Sequence, residues 1–304
     1  LDKYSIGKAI AEIVGSINVT TDEPMKNHTS FQVGGPADIY VTPESAEHII
    51  QVLEFCRQNN IPFFIMGRGS NLIVRDGGMK CVVIDTSKKF NNYTVDGETI
   101  TADAGILLSK LANIALKHSL SGLEFASGIP GTLGGAVVMN AGAYGGEMSH
   151  VVEETLYIDR DGKNVLLNNT EHEFGYRSSI LQKNGGVVLR TKVKLKKGDA
   201  ESIKDLMNEL NFRRKENQPL EYPSAGSIFK RPPGYYTGKL IEECGLKGYK
   251  YGGAEVSAKH CGFIVNTGGA TAGDIINLIE YIKSTVMEKY GVLLETEVKI
   301  VGED

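Results

Sequence analysis

A chain of mixed α and β structure in about three units is what this sequence predicts, and three observations carry that expectation. Helix-period and strand-period segments alternate along the chain. Its 304 residues exceed the usual span of one domain. Its 36 glycines gather in a few short stretches. Glycine costs backbone entropy, so such clusters mark places where the main chain turns tightly or approaches a ligand closely.

In order along the chain, Pro43 opens a helical pattern with Ile49, Leu53 and Cys56 on one face, ended by Asn59-Asn60. Ile61 to Met66 reads as a buried strand and Cys81 to Ile84 as a second. Tyr93 to Ala102 reads as a hairpin turning at Asp96-Gly97. Leu107, Leu111, Ile114 and His118 mark another helix face. Val151 to Ile158 and Val165 to Leu167 flank a second Asp-Gly turn at Asp161-Gly162. From Val187 to Lys196 the residues alternate, with Leu189, Thr191, Val193 and Leu195 inside and Arg190, Lys192, Lys194 and Lys196 on a solvated face. A helix from about Ala200 to Lys215 uses Ile203, Leu206, Met207 and Leu210 as its inner face, and its polar tail through Pro219 and Pro223 is a candidate linker. A strand at Gly262 to Asn266 precedes a long helix through Ile276, Ile279, Ile282 and Val286. Gly291 caps that helix before a final strand, Val292 to Val301.

Composition narrows the function classes. With 33 Lys plus Arg against 37 Asp plus Glu, the net charge of -4 argues against a dedicated nucleic-acid binder. The hydrophobic fraction of 41% and charged fraction of 23% are those of an ordinary soluble protein. No apolar run is long enough to cross a bilayer, and the N-terminal residues lack a secretory pattern, so a cytoplasmic protein without membrane insertion is expected. Cys56, Cys81, Cys244 and Cys261 are scattered, with no spacing that suggests a disulfide framework or a metal site.

Two loops look built for phosphate. Gly67-Arg68-Gly69-Ser70-Asn71 leaves a strand with two glycines, a hydroxyl and an amide, a composition that lets several backbone N–H groups aim at one anion. The second runs Gly128-Ile129-Pro130-Gly131-Thr132-Leu133-Gly134-Gly135 and continues through Asn140-Ala141-Gly142-Ala143-Tyr144-Gly145-Gly146. Together they suggest a long ligand with a pyrophosphate, held mostly by main chain. Neither is the G-x-G-x-x-G fingerprint, and Gly234 to Lys239 is not a P-loop. Reactive candidates are thinner. Ser227 lies in a small-residue turn beside Lys230 and Arg231, Arg177 lies beside Tyr176, and Glu295 and Glu297 share a face of the last strand. His28 and His260 lie in glycine-flanked loops with no evident partner.

The combination goes further than its parts. Asn27-His28-Thr29-Ser30-Phe31-Gln32-Val33-Gly34-Gly35-Pro36-Ala37, then the Gly67–Asn71 loop, then Gly128 to Gly135 with its continuation, occur in this order. This series resembles the FAD-binding unit of the vanillyl-alcohol-oxidase-like (PCMH-type) flavoproteins. With Gly175-Tyr176-Arg177, Ala225-Gly226-Ser227, Gly253-Ala254-Glu255-Val256-Ser257, Phe263-Ile264-Val265-Asn266 and Leu294-Glu295-Thr296-Glu297-Val298, the chain is similar to the UDP-N-acetylenolpyruvoylglucosamine reductase family from about Asn27 to Val301. Lys230 is followed by Arg231-Pro232, where one branch of that family has Asn-Pro, which favours the shorter branch.

The resemblance implies an α+β chain with two FAD-binding subdomains, residues 1–89 and 90–198, followed by a C-terminal α+β substrate-binding domain, residues 199–304. It implies FAD as cofactor and NADPH as hydride donor. The substrate would be UDP-N-acetylglucosamine enolpyruvate, reduced to UDP-N-acetylmuramate for peptidoglycan synthesis; no metal and no protein partner are implied. Cofactor contacts would fall on Gly67, Arg68, Gly69, Ser70 and Asn71, on Gly128, Ile129, Pro130, Gly131, Thr132, Gly134 and Gly135, and on Gly142 and Ala143. Ser227 would protonate the substrate carbon, with Arg177 and Glu297 flanking the developing charge; Tyr176, Lys230 and Arg214 would serve the substrate. The physics agrees with these types. Serine is a weak acid, usable only toward a strongly basic carbanion with positive charge such as Lys230 nearby. Glu297 must be protonated to donate to an enolate, which requires burial. Two other readings are an FAD oxidase or dehydrogenase acting on an alcohol or hydroxy acid, and a nucleotide sensor without turnover.

Overall fold

The structure is a computed structural model that describes residues 2–304; residue 1, with which the first expected subdomain begins, lies outside them. Two compact units are formed. The first holds residues up to Thr21, Ile39–Arg68 and Cys81–Arg214; the second holds Asp22–Asp38, Gly69–Lys80 and Lys215–Asp304. Each has its own apolar core.

In the first unit a five-stranded antiparallel sheet is ordered Asn164–Asn168, Val152–Ile158, Val187–Lys194, Thr99–Asp103, Tyr93–Asp96. Both Asp-Gly dipeptides turn hairpins as expected: Asp96 pairs with Thr99, and Ile158 with Asn164. Gly97 and Gly162 take positive φ of 57° and 88°, which their turns require and glycine supplies without a Cβ penalty. On Val187–Lys194, Val187, Leu189, Thr191 and Val193 are buried, and the Thr191 hydroxyl is hydrogen-bonded to that of Thr155 at 3.2 Å. The basic face is paired: Arg190 donates through Nε and Nη2 to Asp103, Lys192 meets Glu153 at 3.2 Å, and Lys194 meets Glu98 at 3.3 Å.

The helix Ala46–Gln58 starts on Ser45, whose hydroxyl accepts from the His48 N–H, and buries Ile49, Val52, Leu53 and Cys56. Burial pushes the Cys56 thiol up to about 11, so it is a packing group and not a nucleophile. No disulfide joins any of the four cysteines. Two expectations need correction in this unit. The strand after that helix, Phe63–Met66, is fully buried only at Met66, because it is the edge strand of its sheet. In the helix Ala200–Asn217, Ile203, Met207 and Leu210 are buried, but Leu206 is 42% exposed. Adjacent positions 206 and 207 point about 100° apart, and only Met207 falls on the inward stripe.

In the second unit the helix Ala272–Tyr290 packs Ile275, Leu278, Ile279, Ile282 and Val286 into the core, with Ile276 half-buried at its margin. A capping box of Thr271 and Asp274 starts it, and Gly291 at φ 67° ends it. The final strand is shorter than expected: only Lys299–Val301 forms a ladder, parallel to Leu72–Val74. The N–H groups of Glu297 and Val298 both turn to the Ile228 carbonyl, at 2.8 and 3.4 Å, and this doubled acceptor breaks the regular register. Among the described residues no helix is long and apolar enough to cross a membrane, and no cluster of three or more His, Cys, Asp and Glu could hold a metal ion.

Candidate active site

In the first unit, Gly67 packs directly against the side chain of Thr132 in the second glycine-rich loop. Thr132 is buried, caps the helix Leu133–Met139, and accepts from the Gly135 N–H at 3.4 Å. A Cβ on Gly67 would stand 2.2 Å from the Thr132 hydroxyl oxygen, so Gly67 at the head of the first loop closes onto the second only because it has no side chain. Gly134 donates to the Ala104 carbonyl at 2.8 Å, and a Cβ there would meet the Ala104 methyl at the same distance. Leu133 donates to Ile106 and Leu108 to Gly131, which lock the loop onto the strand-to-helix connection beside it. The result is a strip of main chain with little side-chain cover, Gly135 being exposed and Gly128 and Gly131 half-buried. Such a strip fits an elongated phosphate ligand, because backbone donors can approach the anion directly.

At one end of this strip, a Cβ on Gly128 would stand 2.5 Å from the Asn211 side-chain oxygen and 3.2 Å from Arg214 Cδ. Burial pulls the Arg214 guanidinium below the ordinary arginine range, with the Tyr144 phenol as its opposing influence. Among the described residues no carboxylate pairs with Arg214, and a half-buried cation in that condition favours an anionic ligand.

Arg177 sits in a tight hairpin in the same unit. Gly175 and Ser178 exchange backbone hydrogen bonds of 3.0 and 3.2 Å, leaving Tyr176 and Arg177 as the turn. Arg177 has φ 53°, a left-handed conformation that costs a non-glycine residue roughly 1–2 kcal/mol. Its Nη2 donates to the Gly142 carbonyl at 3.3 Å, and its guanidinium stands 5.2 Å from the centre of the exposed Tyr176 ring. Strain of this kind persists where surrounding contacts over-determine it, as at functional sites.

The second unit brings together what lies far apart in sequence. Gly226 at φ 76° turns the chain so that Ser227 is exposed while Ile228 and Phe229 enter the core. The segment that follows is held on both sides: Ser227 bridges Phe263, Ile228 donates to Gly262, Phe229 bridges Thr296, and Lys230 donates to Glu295. Because Glu297 donates its N–H to the Ile228 carbonyl, Ser227 and Glu297 lie on neighbouring segments. Asn71 joins this group. Its side-chain amide donates to the Glu297 carbonyl at 3.1 Å, and its own carbonyl accepts from Lys299. Gly69, at φ 67°, leaves 2.1 Å between a would-be Cβ and the His28 carbonyl, so this half of the first loop also needs glycine.

Several side chains differ from expectation. Lys230, expected to support Ser227, pairs with Glu295 at 3.2 Å. Glu297 is half-buried, whereas Glu295 is exposed. His28 has a partner after all, Glu23 at 2.8 Å. His260 accepts from the Gly262 N–H at 3.1 Å and packs edge-on to Phe263, with burial lowering its pKa. Sequence reasoning also missed Asn140, the left-handed cap of the helix Leu133–Met139, whose side chain bonds Glu147, Ser149 and Gly175. An asparagine closing a short helix just before Ala-Gly was the available signal.

Comparisons with known proteins give a consistent result. Residues 37–168 match a family model described as FAD binding domain, and residues 218–301 match one described as UDP-N-acetylenolpyruvoylglucosamine reductase, C-terminal domain. The chain is 56% identical over 294 residues to a UDP-N-acetylenolpyruvoylglucosamine reductase of Caldanaerobacter subterraneus subsp. tengcongensis, covering 97% of each chain. It is 54% identical over 304 residues to one of Clostridium novyi, covering 100% of this chain and 99% of that one. The crystal structure of the Thermus caldophilus reductase superposes with a TM-score of 0.79 at 39% identity, over 93% of this chain and 97% of that one. An alkyldihydroxyacetonephosphate synthase, at TM-score 0.50 and 18% identity over 65% of this chain and 41% of that one, shows a likeness of fold alone.

Proposed function

This chain belongs to the UDP-N-acetylenolpyruvoylglucosamine reductase family, an FAD-containing group of oxidoreductases, and from that premise we propose that it reduces UDP-N-acetylglucosamine enolpyruvate to UDP-N-acetylmuramate in the cytoplasm, with NADPH as hydride donor. The observation that carries the reading is the hydrogen bond from Glu297 N–H to the Ile228 carbonyl, which lays the segment of Glu297 alongside the segment of Ser227.

Bound FAD supplies the hydride in this reading, and the chain's own residues do the rest. Gly67, Arg68, Gly69, Ser70 and Asn71, with Gly128 to Gly135, Gly142 and Ala143, hold the cofactor mainly through main chain. Arg177 offers charge-assisted donors where negative charge grows on the substrate carboxylate, the type of preorganised contact worth roughly 3 kcal/mol. Ser227 gives a proton to the carbon next to that carboxylate. Glu297, half-buried, is the second residue assigned to flank the developing charge. Arg214, Tyr176 and Lys230 serve the substrate's anionic groups; for Arg214 the support is its desolvation without a carboxylate partner. We propose residues 1–89, 90–198 and 199–304 as the functional division into two cofactor subdomains and a substrate domain.

An anaerobic absorbance titration tests this reading. A flavin band bleached by NADPH should return on addition of UDP-N-acetylglucosamine enolpyruvate and not with simple hydroxy acids or ketones. Bleaching without recovery would redirect the assignment to oxidase-like chemistry on the same fold.

A further inference from the structure

We propose that Asn140 is a positioning residue for Arg177, holding the Gly175–Ser178 hairpin in register through a buried amide. The inference rests on the role given to Arg177 above.

Asn140 is 1% exposed and left-handed, with φ 43° and ψ 55°. Its side-chain oxygen accepts from the Ser149 N–H at 2.9 Å, while its NH2 group donates to Glu147 Oε1 at 3.1 Å and to the Gly175 carbonyl at 3.0 Å. Two acceptors face the nitrogen and one donor faces the oxygen, so only one orientation of the amide satisfies the set. The Ser149 hydroxyl donates to the same Glu147 oxygen, which locks the carboxylate in turn. The Gly175 carbonyl thereby receives two N–H groups, from Ser178 inside the hairpin and from Asn140 outside it. The other flank is tied by buried Ser179, whose hydroxyl donates to the Val138 carbonyl at 2.7 Å.

Arg177 is the strained member of that hairpin, and its guanidinium reaches Gly142, just past the helix that Asn140 caps. Asn140 thus fixes both ends of the arginine's reach, the turn it leaves from and the loop it reaches. Glu147, held by Asn140, adds a negative charge that acts on the same guanidinium. A leucine of similar size would remove the acceptor of the Ser149 N–H and leave the Gly175 carbonyl with the Ser178 N–H alone. An aspartate would keep the bond from Ser149 but could not donate to Gly175.

The test is a double-mutant cycle on the flavin-loaded full chain. Asn140→Gly preserves the left-handed backbone and removes the amide; Asn140→Asp preserves size and removes the donors. Each is made alone and with Arg177→Ala. Flavin content, the rate of flavin bleaching by NADPH and the rate of its return with UDP-N-acetylglucosamine enolpyruvate are read separately. Either Asn140 variant should slow the return by about tenfold or more, with flavin content and bleaching within about twofold of the parent. In the Arg177→Ala background the same changes should add less than about twofold, because the residue through which Asn140 acts is gone. Equal slowing in both backgrounds would overturn the proposal. So would loss of flavin, or parallel slowing of both half-reactions, in both Asn140 variants, since Asn140 would then support the loop as a whole. If Arg177→Ala alone left the return unchanged, the role given to Arg177 would fail first, separately from the Asn140 result.

Discussion

The loop Gly128–Gly135 in the first unit and the segment Ser227–Lys230 in the second are both short and preceded or interrupted by glycine, yet they work by different means. The first presents backbone. Gly128 and Gly134 sit where a Cβ would strike Asn211 and Ala104, so their smallness is a packing requirement. The second presents side chains. Around Gly226 there is open space, and only its φ of 76° calls for glycine, to aim Ser227 outward while Ile228 anchors the turn. A surface made of main chain is set by what is missing from the sequence; a site made of side chains is set by the register that gathers them.

That contrast predicts unequal responses to the same one-methyl change. Gly67→Ala should be the more damaging, because its methyl would overlap the Thr132 hydroxyl at 2.2 Å. A cost of about 3 kcal/mol, or roughly a hundredfold in FAD affinity, is expected by flavin-release titration. Unchanged affinity would break the claim that the two loops close on each other. Gly226→Ala should cost only about 1–2 kcal/mol of backbone strain, with FAD affinity intact, measured by urea midpoint and absorbance. Loss of flavin there would blur the distinction between the regions.

The smallest expected effect concerns a buried group of the first unit away from both sites. His172 is fully buried against Phe174; its Nδ1 bonds the Asn168 carbonyl at 2.7 Å and its Nε2 has no partner among the described residues. Desolvation lowers its pKa below the ordinary 6.5. The unfolded chain therefore takes up the proton first as pH falls, and stability should decline from about pH 6.5 downward. His172→Phe should flatten that decline, by about 1 kcal/mol near pH 5, in denaturant melts across the window. An unchanged slope would assign the acid sensitivity to other groups.

Much of the first region was legible in the sequence because its information is local. The two Asp-Gly hairpins, the Ser45-capped helix and both glycine loops are each written within a few consecutive residues. The second region was not legible from spacing. Nothing in the residues near Ser227 indicates that Glu297 will donate to Ile228, or that Asn71 will hold Glu297 by its carbonyl. These are long-range register facts, and only the family resemblance paired the serine with the glutamate. The final strand was overread for the same reason: the alternation from Leu294 to Val301 looks continuous, and the doubled acceptor at Ile228 is invisible in it. The pairing of Lys230 with Glu295 was hidden for the same reason, because Glu295 is supplied by that same neighbouring segment.

The most direct test separates the two regions in one protein. Ser227→Ala removes the proposed proton donor from the side-chain site and leaves the main-chain strip untouched. Rapid-mixing absorbance should show flavin content and bleaching by NADPH within about twofold of the parent, and return of the band with UDP-N-acetylglucosamine enolpyruvate slowed by about a thousandfold. Equal slowing of both half-reactions, or a return rate unchanged from the parent, would contradict the division of labour between a backbone-built cofactor surface and a register-built proton site.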